Sequence, residues 1–167
     1  MHCIANVTPN WGIGCDGQLA IAIKADLKRF RELTTGHTVL LGRKTLATFP
    51  GSRPLKNREN IILTRDETYT VDGAVIAHSV EEVLALAKQC GEDDFWVIGG
   101  ESVYAQLVPY CRTARMTMTY ADVPADAFFP NLDELPNWRR TAVSEKMTED
   151  GIEFQYIDYI NDSPLEY

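Results

Sequence analysis

Residues 94–101 read DFWVIGGE and residues 38–45 read TVLLGRKT, and the fold is decided where these two stretches change period. In each, a short apolar run of strand character passes into a helical pattern at glycine, over 100–108 after DFWVI and over 43–49 after TVLLG. The same alternation extends outward in both directions. Residues 2–8 (HCIANVT) read as a strand, followed by a Gly-rich loop to about residue 23. Residues 24–35 (KADLKRFRELTT) read as a helix, with Leu27, Phe30 and Leu33 on one stripe and Gly36 as its C′ stop. After a Pro/Gly-rich loop at 50–58 come strands at 60–64 (NIILT) and 74–77 (AVIA). Ser79-Val80-Glu81-Glu82 is a capping box that opens the next helix, and Gly91 lies just past its end. A strand follows around 113–120, then alternating runs at 138–147 and 152–160 joined through Asp150-Gly151, a hairpin signal. Alternation of this kind gives an α/β fold, a mostly parallel twisted sheet with helices on both faces. The terminal hairpin adds an antiparallel edge. No repeat or linker interrupts the pattern, so the reading is a single domain over 1–160 with a loose tail at 161–167.

The 167 residues are 45% apolar and 24% charged, near the globular average and far from disordered, collagen-like or coiled-coil chains. A chain this long can bury about two-thirds of its unfolded surface in one core. No apolar run approaches the roughly 18 residues that a bilayer span needs. The opening MHCIANVTPN lacks the basic and apolar regions of a secretory signal. A formal charge of −8 argues against nucleic acid as a partner, so any anionic ligand has to be gripped by locally placed arginine or lysine. Cys3, Cys15, Cys90 and Cys111 form no C-x-x-C pair, and His2, His37 and His78 stand alone. Neither a metal site nor a disulfide framework is expected. Four reduced thiols fit a cytoplasmic protein.

In open sheets of this class, ligands bind beyond the C-terminal ends of the strands, and three such ends carry phosphate-binding chemistry. Gly42-Arg43-Lys44-Thr45 offers peptide N–H groups at a helix start, with the Arg43 and Thr45 side chains as further donors. Ile98-Gly99-Gly100-Glu101 lets backbone approach a pyrophosphate with no Cβ in the way. Arg65, directly after NIILT, places a guanidinium where it can hold a separate phosphate. Each alone reads as a tight turn or a solvated side chain; three at the ends of one sheet bring a nucleotide site level with that reading. Gly12-Ile13-Gly14-Cys15-Asp16-Gly17 matches the dinucleotide pattern G-x-G-x-x-G, but that mechanism requires a helix to open at the glycines. QLAIAI (18–23) continues instead, so the segment reads as a mobile, partly apolar covering loop. Asp26, in the first turn of helix 24–35, keeps i, i+4, i+7 spacing with Phe30 and Leu33, on or beside the apolar stripe. It is either an ordinary partner of the helix dipole or a carboxylate facing an apolar cleft, with a raised pKa that lets it guide a proton.

In order and spacing, CIANVTPNWGIG, KADLKRFRELTTG, TVLLGRKTLATFP, RPLKNRENIILTR, FWVIGGESVYAQL and Asp126-Ala127-Phe128-Phe129-Pro130 resemble the dihydrofolate reductase family over nearly the whole chain. The resemblance implies an oxidoreductase that reduces 7,8-dihydrofolate to 5,6,7,8-tetrahydrofolate with NADPH. Hydride goes to pterin carbon 6, nitrogen 5 gains a proton, and the product serves one-carbon metabolism and thymidylate and purine synthesis. By the same resemblance Asp26 holds the pterin amino group and ring nitrogen, and Thr117 supports that carboxylate. Ile4, Ala5, Leu19, Ile21, Leu27, Phe30, Phe49 and Ile98 would wall the pterin and aminobenzoate. Arg58 would grip the glutamate α-carboxylate, a bidentate task suited to guanidinium. The implied cofactor contacts are Ala5, Ile13 and Gly14, then Gly42, Arg43, Lys44 and Thr45, then Leu63, Thr64, Arg65 and His78. Gly99, Gly100, Glu101, Ser102, Val103 and Tyr104 complete them, with the Gly99-Gly100 peptide cis. Diaminopyrimidine or pteridine antifolates would enter the same site, and a monomer is expected.

Ala20-Ile21 stand where the family usually has Pro-Trp, and Lys24 stands where it has proline two residues before the acid. Ile21 therefore bears on proton delivery and loop closure. Ser102 occupies a position that is basic in some members, which leaves 2′-phosphate recognition to Arg43, Arg65 and His78. Two other readings stand beside this one. The first is an NADPH-dependent pyrimidinone reductase on the same fold, against which Asp26, Thr117 and Arg58 together speak. The second is a non-catalytic folate- or nucleotide-binding module, which the missing tryptophan leaves open.

Overall fold

A computed structural model describes all 167 residues. In chain order the elements are β1 (His2–Val7), β2 (Gly12–Cys15), β3 (Gln18–Leu19), α1 (Lys24–Thr34), β4 (Thr38–Gly42) and α2 (Arg43–Leu46). Then come β5 (Glu59–Leu63), β6 (Ala74–Ala77), α3 (Val80–Cys90), β7 (Phe95–Gly99), α4 (Glu101–Leu107) and β8 (Thr113–Tyr120). The chain closes with β9 (Ala127–Phe128), β10 (Trp138–Val143), β11 (Met147–Glu149) and β12 (Ile152–Asn161). The main sheet runs β10-β12-β8-β1-β7-β4-β5-β6, with β11 also paired to β12. From β8 to β6 every pair is parallel. β12 lies antiparallel to β8, β10 and β11, which is the expected antiparallel edge.

The central strands are unbroken apolar runs because both faces of the sheet are covered. Phe95, Val97 and Leu40 face a cluster to which α3 and α4 add Val83, Ala87, Val103 and Leu107. Trp96, Ile98, Val39 and Leu41 face the other way, where Leu46 of α2 joins them and Phe30 and Leu33 of α1 pack. Leu40, Leu41 and Ile62 are fully buried, each contributing about 1.5–3 kcal/mol by leaving water. That rigid base supports the strand ends where the motifs lie.

Four local features differ from the sequence reading. Only Thr34 of α1 is buried and Leu27 is 45% exposed, so the apolar stripe is closed at Leu33 and open near Asp26. Ser79 accepts from the Glu82 N–H at 3.2 Å, but the Glu82 carboxylate returns to the His78 N–H at 2.7 Å, one residue before the capping-box position. The run 138–147 divides into β10 and β11 because the Ser144 hydroxyl replaces a backbone acceptor for the Tyr156 N–H at 2.8 Å. The Gly-rich segment is a hydrogen-bonded hairpin rather than a loop: β2 pairs with β3 on one side and β9 on the other in a second, three-stranded sheet. Asp16 and Gly17, with φ of 52° and 76°, close that hairpin in the primed-turn conformation. No helix opens at its glycines; the first begins at Lys24.

Residues 161–167 are likewise not loose. The buried Asn161 donates from Nδ2 to the Cys111 carbonyl, the Leu165 N–H reaches the Pro109 carbonyl, and Tyr167 packs edge-on against Tyr110. All four cysteines are free, and no helix is long and apolar enough to cross a membrane.

Candidate active site

β1 and β8 lie side by side with Asn6 opposite Thr117, and β12 follows with Tyr156 opposite the same threonine. This register sets the buried Thr117 beneath the first turn of α1, where its Oγ1 donates to Asp26 Oδ1 at 2.5 Å. Burial raises the Asp26 pKa above the ordinary carboxylate value, while the Thr117 hydrogen bond and the Arg29 guanidinium pull it down. Burial dominates. α1 is tied to the C-terminal strands twice. Arg29 lies with its Cζ 4.0 Å from the centre of the Tyr156 ring and pairs with Asp158, which also takes Arg115 at 2.7 Å. At the helix start, Ile23 offers no side-chain cap. Instead the Glu149 carboxylate, from β11, accepts from the Lys24 and Ala25 N–H groups at 2.7 and 3.0 Å.

Ile4 and Ile98 share one apolar cluster, against which Phe30 and Phe49 pack. Ala5 packs on the cluster of the opposite face. Leu19, on β3, is 56% exposed and lies outside both clusters. The Ile21 carbonyl accepts from Asn6 Nδ2 at 3.4 Å, and Asn6 Oδ1 takes the Thr119 hydroxyl at 2.6 Å. At the far end of α1, Arg58 donates from Nη1 to Thr34 Oγ1 at 3.1 Å and from Nε to the Lys56 carbonyl at 2.9 Å. Burial and the nearby Arg31 lower its pKa.

On the other side of β1, the parallel strands β7 and β4 end together, with Leu41 opposite Gly99. The Gly99-Gly100 peptide is cis. A Cβ on Gly100 would meet Thr45 Oγ1 at 2.9 Å, and one on Gly42 would meet Val103 Cγ2 at 3.2 Å. These two turns close on each other with room for hydrogen only, which leaves backbone exposed to whatever approaches the strand ends. Tyr104 is buried, and its hydroxyl donates to the Ile4 carbonyl at 2.6 Å, joining the α4 turn to the apolar wall. Arg43 pairs with Asp66 at 3.2 Å. His78 Nδ1 lies 2.9 Å from the Thr64 carbonyl, so it borders Leu63, Thr64 and the exposed Arg65 at the end of β5. Lys44 is exposed. The Glu101 carboxylate accepts from the Phe128 N–H at 2.5 Å and Ser102 Oγ accepts from Gln106 Nε2 at 3.0 Å, so both side chains are engaged within the protein. Ile13 and Gly14 lie on β2, where the Gly14 carbonyl accepts from the Asp126 N–H at 2.9 Å.

A family model described as dihydrofolate reductase matches residues 1–161. The chain belongs to the dihydrofolate reductase family. It is 33% identical over 151 residues to the dihydrofolate reductase of Mycobacterium tuberculosis, a match covering 88% of this chain and 89% of that one. To the dihydrofolate reductase of Bacillus subtilis it is 35% identical over 138 residues, 83% of this chain and 79% of the relative. Among solved structures, the dihydrofolate reductase of Enterococcus faecalis, complexed with NADP(H) and RAB-propyl, superposes with a TM-score of 0.87. It is 32% identical and covers 96% of this chain and 95% of its own. The fold expected of a dihydrofolate reductase is therefore the fold present.

Asn6 and Glu149 escaped the sequence reading. Their partners, Thr119 and the start of α1, lie 113 and about 125 residues away, and no local pattern announces such contacts. The β2–β3 hairpin did carry a signal, the Asp16-Gly17 dipeptide, of the same kind as Asp150-Gly151.

Proposed function

We propose that Asp26, Thr117, Arg58 and the paired glycine turns carry the reaction of this dihydrofolate reductase. The chain is an NADPH-dependent oxidoreductase that converts 7,8-dihydrofolate to 5,6,7,8-tetrahydrofolate. The observation that carries the site assignment is the half-buried Asp26–Thr117 pair at one end of α1 with Arg58 anchored at the other. Eight residues separate Asp26 from Thr34, or about 12 Å of helix at 1.5 Å per residue. A flat heterocycle held by the acid and a carboxylate held by the guanidinium must be joined by a spacer of that order, as in a pterin-aminobenzoyl-glutamate.

The chain's own groups do the following. Asp26 accepts hydrogen bonds from the pterin amino group and ring nitrogen, orienting the ring and raising the basicity of nitrogen 5, which takes its proton through water. Thr117 fixes the carboxylate by holding Oδ1. Ile4, Phe30, Phe49 and Ile98 wall the ring and exclude water, while Ile21, Leu27 and Leu19 border its entrance. Arg43, Lys44, Thr45, Arg65 and His78 hold the cofactor phosphates, with Gly99 and Gly100 letting backbone come close. NADPH, when bound, supplies the hydride. No covalent intermediate is required, because the protein aligns two rings and shields them.

Protonation follows from the raised pKa of Asp26: the hydride step slows as pH rises through it. Antifolates with a diaminopyrimidine or pteridine head would offer the same donors to Asp26. A net charge of −8 supports the absence of a nucleic-acid partner, four free thiols fit a cytoplasmic protein, and one sheet running from β1 to β12 fits a single domain. Loss of NADPH absorbance on adding dihydrofolate, compared between wild type and Asp26→Asn, tests the reading. Binding of both ligands without turnover would support a non-catalytic module instead, and turnover of a ribityl pyrimidinone but not dihydrofolate would support the other reductase.

A further inference from the structure

α1 carries Asp26 in its first turn but does not finish its own N-terminus. Ile23 has extended backbone, with φ −115° and ψ 124°, and no side-chain oxygen to accept the orphan N–H groups. Two of them are taken from outside, by the two oxygens of one carboxylate: Lys24 N–H to Glu149 Oε2 at 2.7 Å and Ala25 N–H to Glu149 Oε1 at 3.0 Å. Asp26 is the next residue. Glu149 is fixed in turn, because it ends β11, opposite Ile152 on β12, just before the Asp150-Gly151 turn.

We propose that Glu149 is a positioning residue for the dihydrofolate site: it caps α1 from β11 and so sets where the Asp26 carboxylate stands above Thr117. A bidentate carboxylate on two consecutive N–H groups restrains both the height and the rotation of the first turn. The turn has no other cap, and Arg29 grips the helix one turn farther on. Loss of Glu149 therefore lets the start of α1 fray while its remainder stays on the sheet. The cofactor turns at Gly42 and Gly99-Gly100 hang from β4 and β7, elements that Glu149 does not touch. The effect is confined to one ligand. Glu149 can matter in this way only if Asp26 is the pterin-binding carboxylate.

The test is a double-mutant cycle on steady-state kinetics. Glu149→Ala should raise the KM for dihydrofolate about 5–20-fold, the loss expected of a helix cap converted to affinity, with the KM for NADPH within twofold of wild type. Glu149→Gln, which keeps one acceptor oxygen, should fall between. Lys24→Pro removes one of the two donors in a chain that tolerates it, since proline suits the first helical position and Ile23 is already extended. In the Lys24→Pro background, Glu149→Ala should cost at least about threefold less than in wild type, because one bond is already gone. Additive effects would overturn the proposal, as would equal rises in both KM values or a lower melting temperature with kinetics unchanged. A wild-type protein that does not oxidise NADPH in the presence of dihydrofolate would overturn the function itself. Wild-type turnover that Glu149→Ala leaves untouched would overturn only the cap.

Discussion

Replacing Asp26 with asparagine should separate activity from stability. Thr117 holds Oδ1, and asparagine keeps that bond through its carbonyl while turning an NH2 group toward a ligand that itself presents donors. The loss is two charge-assisted hydrogen bonds, about 1.5–3 kcal/mol each. Together that is about 3–6 kcal/mol, or about 10²–10⁴-fold in kcat/KM at 1.4 kcal/mol per decade. Stability should move the other way. Burial raises the carboxyl pKa, so the native state binds the proton more tightly than the unfolded chain does. Its contribution to stability is present at low pH and is lost as pH rises through the folded pKa. Above the folded pKa the wild type holds a desolvated charge that asparagine lacks, so Asp26→Asn should melt higher there. The gap should close as pH falls below the ordinary value of 3.8, where both side chains are neutral. Stopped-flow hydride transfer from about pH 5 to 9, with melting curves extended down to about pH 3, reads both effects. A variant within threefold of wild-type activity, or one that melts lower at the alkaline end of the range, would refute the reasoning. So would a flat wild-type pH profile.

Arg58→Met removes a guanidinium already steadied by Thr34 and Lys56. The KM for dihydrofolate should rise about 10–100-fold, the worth of a charge-assisted bidentate contact, with the NADPH constant unchanged; parallel shifts in both would mean that Arg58 serves the fold instead. Gly100→Ala puts a methyl group 2.9 Å from Thr45 Oγ1. At an overpacking cost of about 1–3 kcal/mol, NADPH should bind about 5–150-fold more weakly while dihydrofolate binding to the free enzyme holds, and calorimetry that finds NADPH affinity intact would count against the cradle. Ile21→Trp buries roughly 40 Å² more apolar surface, about 1 kcal/mol at 25 cal/mol per Å². Dihydrofolate should bind about fivefold tighter, and an unchanged or weaker constant by fluorescence titration would sink the idea that this position shapes loop closure.

The fold was legible wherever one segment's own chemistry determined its state. β4 and β7 announced themselves as apolar runs ending in glycine, and the Asp150-Gly151 turn showed where the terminal hairpin folds back, with φ of 50° and 79°. Ser79 and Glu82 marked the start of α3, although the carboxylate chose the His78 N–H over that of Ser79. Legibility failed where strands were too short to show a period. β3 is two residues long, and β2 contains two glycines in four positions, so propensity spoke for loop and only the pairing of β2 with β3 and β9 made a sheet. It failed again at Leu27, whose helical spacing fixed its stripe but not whether that stripe would be covered. For the site, residue type and strand-end placement singled out Asp26, Arg43 and the Gly99-Gly100 turn. Thr117, Arg58 and the apolar wall came from family resemblance, because a buried threonine or a loop arginine has no local signature. Asn6 and Glu149 came from neither, since their roles exist only in three dimensions.

The phenol of Tyr104 on the Ile4 carbonyl has a bearing on how small molecules come and go. It bolts α4, which follows β7, to β1, the strand beside β7 at about 4.8 Å, so the floor of the site resists parting. Admission and discharge are left to the outer rim, where the two-residue β3 carries the exposed Leu19. A chemist wishing to slow product escape should therefore stiffen that rim, because the bedrock beneath it is already as inflexible as hydrogen-bonded ribbon allows.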